Sequence, residues 1–204
     1  MYVGVWVYGS RMPRRTATEA ERTRRALLDS GRRLFAERGF AATSLDAVAA
    51  GAGVTRGAID HHFGTKTDLF TAVFIELEGE LDATVRAAAG ATATARAAFM
   101  AACAAWLDFA VRGDYRQIAL TDAPGVLGAE TWHRIDAGIG LASMQLGLAA
   151  LHAEQPLAIA PNPALAVLLF GALTEAGVAL GHGDSPGRDE LLRALDDLVT
   201  RLIT

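Results

Sequence analysis

The stretch from 41 to 70, AATSLDAVAAGAGVTRGAIDHHFGTKTDLF, leaves the chain least choice about how to fold. Leu45, Val48 and Ala49 have the i, i+3, i+4 spacing of one helical face, and Ala58, Ile59 and Phe63 mark a second short helix. Between them Gly53 stands where a chain leaving a helix commonly takes positive φ, and Thr55 stands where the next helix wants an N-cap. Thr43 and Ser44 can cap the first helix, whose Asp46 suits the positive end of its dipole. Two short helices joined by a tight glycine turn, the second opening on small polar and basic residues, make a helix-turn-helix, an element that reads DNA.

The rest of the chain predicts an all-α fold, because Ala and Leu dominate and nearly every long stretch keeps helical period. With 51% hydrophobic and 21% charged residues there is ample material for a core, which excludes disorder for most of the length. A basic helix over 13–38 carries Arg14, Arg15, Arg22, Arg24, Arg25, Arg32, Arg33 and Arg38, with Leu27, Leu28, Leu34 and Phe35 as its apolar stripe. That stripe should pack on the two reading helices and complete a three-helix headpiece. Thr65 or Thr67 caps a helix from Lys66 to about Val85, and the Ala/Gly/Thr-rich tract 87–95 is the expected boundary or kink. Further helices are expected over 94–112 and around Tyr115, Ile118 and Leu120, with a break at Asp122–Gly125. A long helix over 129–152 is weakened by Gly138 and Gly140; a loop marked by Pro156, Pro161 and Pro163 follows, then helices over 164–181 and 188–203.

Net charge is −4, which looks wrong for a DNA binder until it is divided. Residues 11–66 hold eleven Arg or Lys against six Asp or Glu, and residues 67–204 hold eight against seventeen, so +5 faces −9. The basic part can meet phosphate, whereas the acidic part disfavours DNA. One cysteine, Cys103, excludes an internal disulfide, and its apolar setting predicts a buried, inert thiol in a reducing compartment. No run of about eighteen uncharged apolar residues stands out, so no membrane span is expected and the location is expected to be cytoplasmic. MYVGVWVYGS lacks the basic start and long apolar centre of a signal peptide. Residues 1–12 are therefore expected to be a disordered arm or a start-site extension.

The run Thr43-Ser44, Val48-Ala49, Ala52-Gly53-Val54-Thr55, Gly57, Ile59, His62-Phe63, Lys66 and Leu69 is similar to the signature of the tetracycline-repressor (TetR) family of bacterial transcriptional regulators. The likeness extends more loosely upstream through Arg24, Leu27, Leu28, Leu34, Phe35, Arg38, Gly39 and Phe40, and covers about a third of the chain well. It implies a helix-turn-helix DNA-binding domain over 13–66 and a larger helical ligand-binding and dimerisation domain over 67–204. It places base-edge contacts at Arg56, where two hydrogen bonds can reach guanine, and at Gly57, which leaves room for close approach. Thr43, Thr55, His62 and Lys66 match positions that touch phosphate, His61 one that reaches a base or its sugar, and Ser44 belongs to the same set. Packing within the headpiece is the competing role for His62. Lys66 stands at a helix start, where the dipole disfavours a cation, which points to a reason outside the fold. For the arginines of 13–38, a solvated face competes with backbone contact, expected for two or three, foremost Arg14, Arg15 and Arg24.

Asp60 departs from the family pattern, which has Tyr there. It can hold the Arg56 guanidinium as an i, i+4 pair, the favoured reading, or accept from a cytosine amino group. In the larger domain Phe99, Met100, Cys103, Trp106, Phe109, Trp132 and Met144 are candidates for an apolar pocket wall, with His133, Asp136, Gln145 or Glu175 as polar anchors. For any one of these aromatics a plain core role competes, and a buried carboxylate among the anchors would favour a cationic ligand. The stripes containing Leu165, Leu169, Leu173 and Ala176, and Leu191, Leu195, Leu198 and Leu202, carry the four-helix dimer interface that the resemblance implies; packing within one chain is the alternative.

No enzyme motif, cofactor site or metal-ligand spacing is present: there is no HExxH, no CxxC, no Ser elbow, and adjacent His61 and His62 diverge on a helix. The chain is thus expected to be a homodimeric regulator, a repressor released from a near-palindromic double-stranded operator by a largely apolar small molecule. The alternatives are a DNA-binding regulator with no ligand, and a helical metabolite-binding protein that has lost DNA binding.

Overall fold

A computed structural model describes residues 17–182 and 186–203. The expectations for residues 1–12, Arg14 and Arg15 lie outside the described residues. Helix α1 runs Ala17–Ala42, and its stripe of Leu27, Leu28, Leu34 and Phe35 is at most 3% exposed. Gly39, at φ 75 and ψ 168, breaks the helical path, and the Phe40 amide donates instead to the Asp122 carboxylate at 2.7 Å. Helices α2 (Leu45–Gly51) and α3 (Arg56–His62) follow, and α4 (Lys66–Gly90) opens on a capping box in which Thr65 and Asp68 satisfy each other's backbone amides. Next come α5 (Ala95–Ala110), α6 (Gly113–Tyr115), a π-helical turn Arg116–Asp122, and α7 (Ala123–Leu127). The chain closes with α8 (Ala129–Glu154), α9 (Pro163–His182) and α10 (Arg188–Leu202).

Two expected boundaries move. The Ala-rich tract stays helical to Gly90, as alanine's propensity favours, and the turn is confined to the residues before Thr94, which caps α5. Asp122–Gly125 is not a break, because Pro124 falls in the first turn of α7, where its missing amide costs nothing; the chain turns at Gly128, with φ 78.

Packing is continuous across the expected division at residue 66. One cluster joins Leu28, Phe35, Val48 and Ile59 of the headpiece to Leu69, Phe70, Phe74 and Leu77 of α4, and through them to Leu107, Phe109, Tyr115 and Ile118. Phe70 meets Phe35 and Phe40 edge-on, each at 5.1 Å. A second cluster unites Phe99, Cys103, Met144, Leu148, Leu165, Phe170 and Val199. Helix α4 is therefore the element on which both halves of the chain rest.

The expected interface residues on the closing helices divide by burial. Leu165 and Leu169 are buried in the second cluster, and Leu173, Ala176, Leu191, Leu195 and Leu202 are half-buried against their own chain; of the eight only Leu198 is exposed, at 44%. The 3,4 stripe of an amphipathic helix marks the face buried first, and here that face is used within one protomer. The exposed residues of α9 include Val167, Leu168, Gly171, Ala172 and Glu175, with Leu168 71% exposed. The stretch Pro163–Gly181, interrupted by a single charge at Glu175, has mean hydropathy 1.9 and is long and apolar enough to cross a membrane by length and composition, with 22% of it buried. That one carboxylate splits the run, so no uncharged stretch of about eighteen residues marks it in the sequence.

Candidate nucleic-acid interface and internal cavity

The headpiece presents α3 outward because α2 and the turn fix it from below. The Ser44 hydroxyl accepts from the Ala47 amide at 3.1 Å and caps α2, and Gly53 sits at φ 67 with nothing within 4 Å of where a Cβ would stand. Its glycine is needed for the left-handed backbone, not for space. Ala58 and Ile59 turn into the core, which leaves Thr55, Arg56, Gly57, Asp60 and His61 exposed. Thr55 is the N-cap of α3 but its hydroxyl makes no capping bond. The Arg56 Nε donates to Asp60 Oδ1 at 3.4 Å, and Arg56 Nη1 lies 3.7 Å from Asp46 Oδ1 on α2. The i, i+4 pair favoured from sequence is thus formed, and a second carboxylate steadies the guanidinium from the other helix.

One expected phosphate contact needs correction, and a second residue has a partner within the fold. Thr43 is 2% exposed, and its hydroxyl donates to the carbonyls of Leu34 and Gly39 at 3.1 and 2.8 Å, so its side chain locks the end of α1 and cannot reach DNA. Lys66 also has contacts inside the fold. Its Nζ lies 4.2 Å above the Phe40 ring and 3.4 Å from the Ala41 carbonyl, where the end of α1 welcomes a cation. Burial draws its pKa below the ordinary value, with Asp122 opposing. His61 points outward, and His62 is half-buried between His61 and Phe63, with ring centroids 5.2 and 6.3 Å away.

Most arginines of α1 serve as scaffold. Arg25 reaches Asp29 at 2.6 Å and Glu76 at 3.0 Å, Arg33 stands 3.7 Å from Glu37, and Arg24 lies over the Phe63 ring at 5.7 Å. Arg22 and Arg38 have no ion pair among the described residues. Arg32 binds Asp114 at 2.6 Å and Glu80 at 2.8 Å, and Arg112 binds the same two carboxylates at 3.0 and 2.7 Å. Burial alone would raise the Asp114 carboxyl, but hydrogen bonds from Arg32 and Arg112 hold it below its usual range. This four-membered network ties α1 to α4 and α6.

A cavity of about 580 Å³ lies between α4, α5, α8 and α9. Phe99, Cys103, Trp106, Asp136 and Met144 line it as expected. Met100 packs on the second cluster, and Phe109 is buried edge-on against Tyr115 at 5.2 Å. Trp132 is held by its Nε1 donating to the Ala119 carbonyl at 3.0 Å, while His133, Gln145 and Glu175 are exposed. These six expected lining residues and anchors therefore do not belong to the wall: Met100, Phe109, Trp132, His133, Gln145 and Glu175. For Met100 and Phe109 the physical reason is that α5 is apolar nearly all round, so period alone does not say which face turns to the cavity and which to the core.

The sequence reading missed the polar end of the cavity on α4. Glu78 is 2% exposed and accepts from the Tyr115 hydroxyl at 2.9 Å; Asp136 is 5% exposed, and its Oδ2 has no hydrogen-bond partner. Burial pushes Glu78 up to about 8, helped by the charge of Asp136 and opposed by the Tyr115 hydrogen bond. Burial likewise pushes Asp136 up to about 6, with His133 opposing, and pushes the Cys103 thiol up to about 12. A signal for Glu78 was available: it lies four residues after Phe74 and three before Leu81, in register with the buried stripe.

The chain matches a family model described as bacterial regulatory proteins of the tetR family over residues 27–73, and a tetracyclin repressor-like C-terminal domain over residues 96–202. Over 63 residues it is 49% identical to the transcriptional regulator AcrR of Shigella flexneri, and over 60 residues 47% identical to the repressor BepR of Brucella suis. Each match spans 29% of the relative's length, and 31% and 29% of this chain. A TetR-family regulator from Pectobacterium atrosepticum superposes with a TM-score of 0.78 at 35% identity, covering 93% of this chain and 98% of that one. RolR, solved with resorcinol, shares the fold at 18% identity with a TM-score of 0.67, covering 92% of this chain and 90% of its own. A helix-turn-helix shared with curated regulators, a C-terminal model spanning more than half the chain, and a whole-length structural relative at 35% identity lead to one assignment: this chain is a member of the TetR family of transcriptional regulators.

Proposed function

We propose that the chain works as a homodimeric, cytoplasmic repressor that leaves its operator when a small molecule enters the cavity. The observation that carries this reading is the double duty of α4, whose Phe70 and Phe74 sit in the headpiece core while Glu78, Leu81 and Val85 line the cavity wall. A ligand that prefers one arrangement of α4 and α6 shifts the headpiece by as much as its affinities for the two arrangements differ. The Arg32–Asp114–Glu80–Arg112 network and the Phe40–Asp122 hydrogen bond give that shift a rigid path to α1. The cavity favours this reading over a ligand-free regulator, whose core would be filled.

On DNA, Arg56 and Gly57 face base edges, His61 a base or sugar, and Ser44, Thr55 and His62 the backbone. Two copies joined through the outer face of α9 hold their reading helices about 34 to 36 Å apart, one turn of a near-palindromic operator. Leu168→Glu is therefore expected to leave helicity intact and convert dimer to monomer in sedimentation, whereas Leu165→Glu, which buries the charge, is expected to unfold the chain. A dimeric Leu168→Glu protein would remove α9's outer face from the interface.

A mobility shift on DNA from the region upstream of its own gene tests the reading. Wild type should shift this DNA and not a scrambled control. Asp60→Asn, which frees Arg56 and removes a charge facing phosphate, should strengthen binding to the scrambled DNA and narrow the ratio between the two. An unchanged ratio would contradict the role given to Asp60.

A further inference from the structure

We propose that the cavity receives a lipophilic organic monocation, an amine or amidinium on an apolar body, whose N–H groups are taken by Asp136 and Glu78. The inference rests on the ligand-responsive reading above and adds the chemistry of the ligand. A carboxylate buried to 5% exposure with an unpartnered oxygen is costly to keep, and it stands on a largely apolar wall where Phe99, Trp106 and Phe170 face the cavity and whose one cation among the described residues, Arg86, is paired with Asp82. Neither Asp136 nor Glu78 has an ion pair among the described residues. The third carboxylate of the wall, Asp82, is already satisfied by Arg86 and by the Ser143 hydroxyl. An anion is repelled by this end, and a neutral body leaves the Asp136 charge uncompensated.

The number of charges follows from the neighbours. Glu78 faces Asp136 from α4 and Tyr115 faces both from α6, while His133 acts on Asp136 from its own helix. With Glu78 held protonated by its burial near neutral pH, the pair carries a single negative charge, which matches one cation and not two. A bare metal ion fits poorly, since among the described residues no group of three His, Cys, Asp or Glu is arranged to hold one. A volume of about 580 Å³ suits a ligand of drug-like size.

Fluorescence titration with pyrenemethylamine, pyrenemethanol and pyrenecarboxylate, one body in three charge states, tests this. Wild type is expected to bind the amine at least about tenfold tighter than the alcohol and the carboxylate weakest, one factor of ten being a modest buried ion pair. Asp136→Asn should bring amine and alcohol within about twofold while leaving the alcohol's affinity in place. Wild type alone supplies a second readout: lowering the pH from 7.5 to 5.5 protonates Asp136 and should weaken the amine roughly fourfold without moving the alcohol. Equal binding of amine and alcohol, preference for the carboxylate, binding of none of the three, or a preference that survives Asp136→Asn would overturn the cation assignment. DNA release distinguishes the cation site from the ligand response. Release by the alcohol or carboxylate but not by the amine removes the cation and keeps ligand response, whereas selective amine binding with no effect on DNA keeps the cation site and removes the response.

Discussion

Arg56→Ala is expected to weaken operator binding by about 1 to 3 kcal/mol, roughly five- to 150-fold, while leaving the melting temperature unmoved. The side chain is 46% exposed and its carboxylate contacts at 3.4 and 3.7 Å are long and solvated, so the fold loses little with it. The loss should fall on one base pair per half-site, because a bidentate guanidinium discriminates guanine and a phosphate contact does not. Gly57→Ala is the companion experiment. A Cβ there would meet only the Thr55 hydroxyl, at 4.0 Å, and alanine raises helix propensity by up to about 1 kcal/mol, so the fold gives no reason for the glycine. A more stable protein with poorer operator binding would locate that reason in the groove. If Arg56→Ala binds operator and scrambled DNA in the wild-type ratio, base reading lies elsewhere on α3.

The headpiece was legible because its constraints are local. Gly53 answers to a backbone angle, Ser44 to a helix end, and Leu45, Val48 and Ala49 to a face, and each can be read within a few residues. Thr43 was not legible as a buried residue because its hydroxyl partners are carbonyls of α1, which the capping pattern does not encode. In the larger domain the helices were legible but their outward faces were not. A helix such as α5 or α9 is apolar on most sides, so sequence says that it is covered and not by what. Leu165 and Leu168 show the consequence: three residues apart and chemically identical, one is 9% exposed and the other 71%. Glu78 belongs to another class. Its position in the stripe was readable, but its meaning depends on Tyr115 and Asp136, which only the tertiary fold brings to it.

That buried pair also sets how stability should depend on pH. Glu78 has its carboxyl pushed up to about 8 in the fold from an ordinary value of 4.5, so between those limits the folded chain holds a proton that the unfolded chain has released. Stability is then greatest at the acidic end of the window and falls as pH rises, by roughly 3 kcal/mol between pH 5 and 8 for this group alone. Asp136, moved from 3.8 to about 6, adds a smaller loss of the same sign at the lower end of the range. Asp114 and Glu80 act oppositely, but their depressed carboxyls titrate below their ordinary values and contribute no slope here. Wild-type melting temperature is therefore expected to fall from pH 5 to 8. Glu78→Gln, which still offers the Tyr115 hydroxyl an acceptor, should flatten most of that slope and be the more stable protein at pH 8. A wild-type melting temperature that is level or rising across this interval would mean that Glu78 is ionised inside the fold. The cavity would then carry two negative charges rather than one, and the ligand it best fits would be a dication.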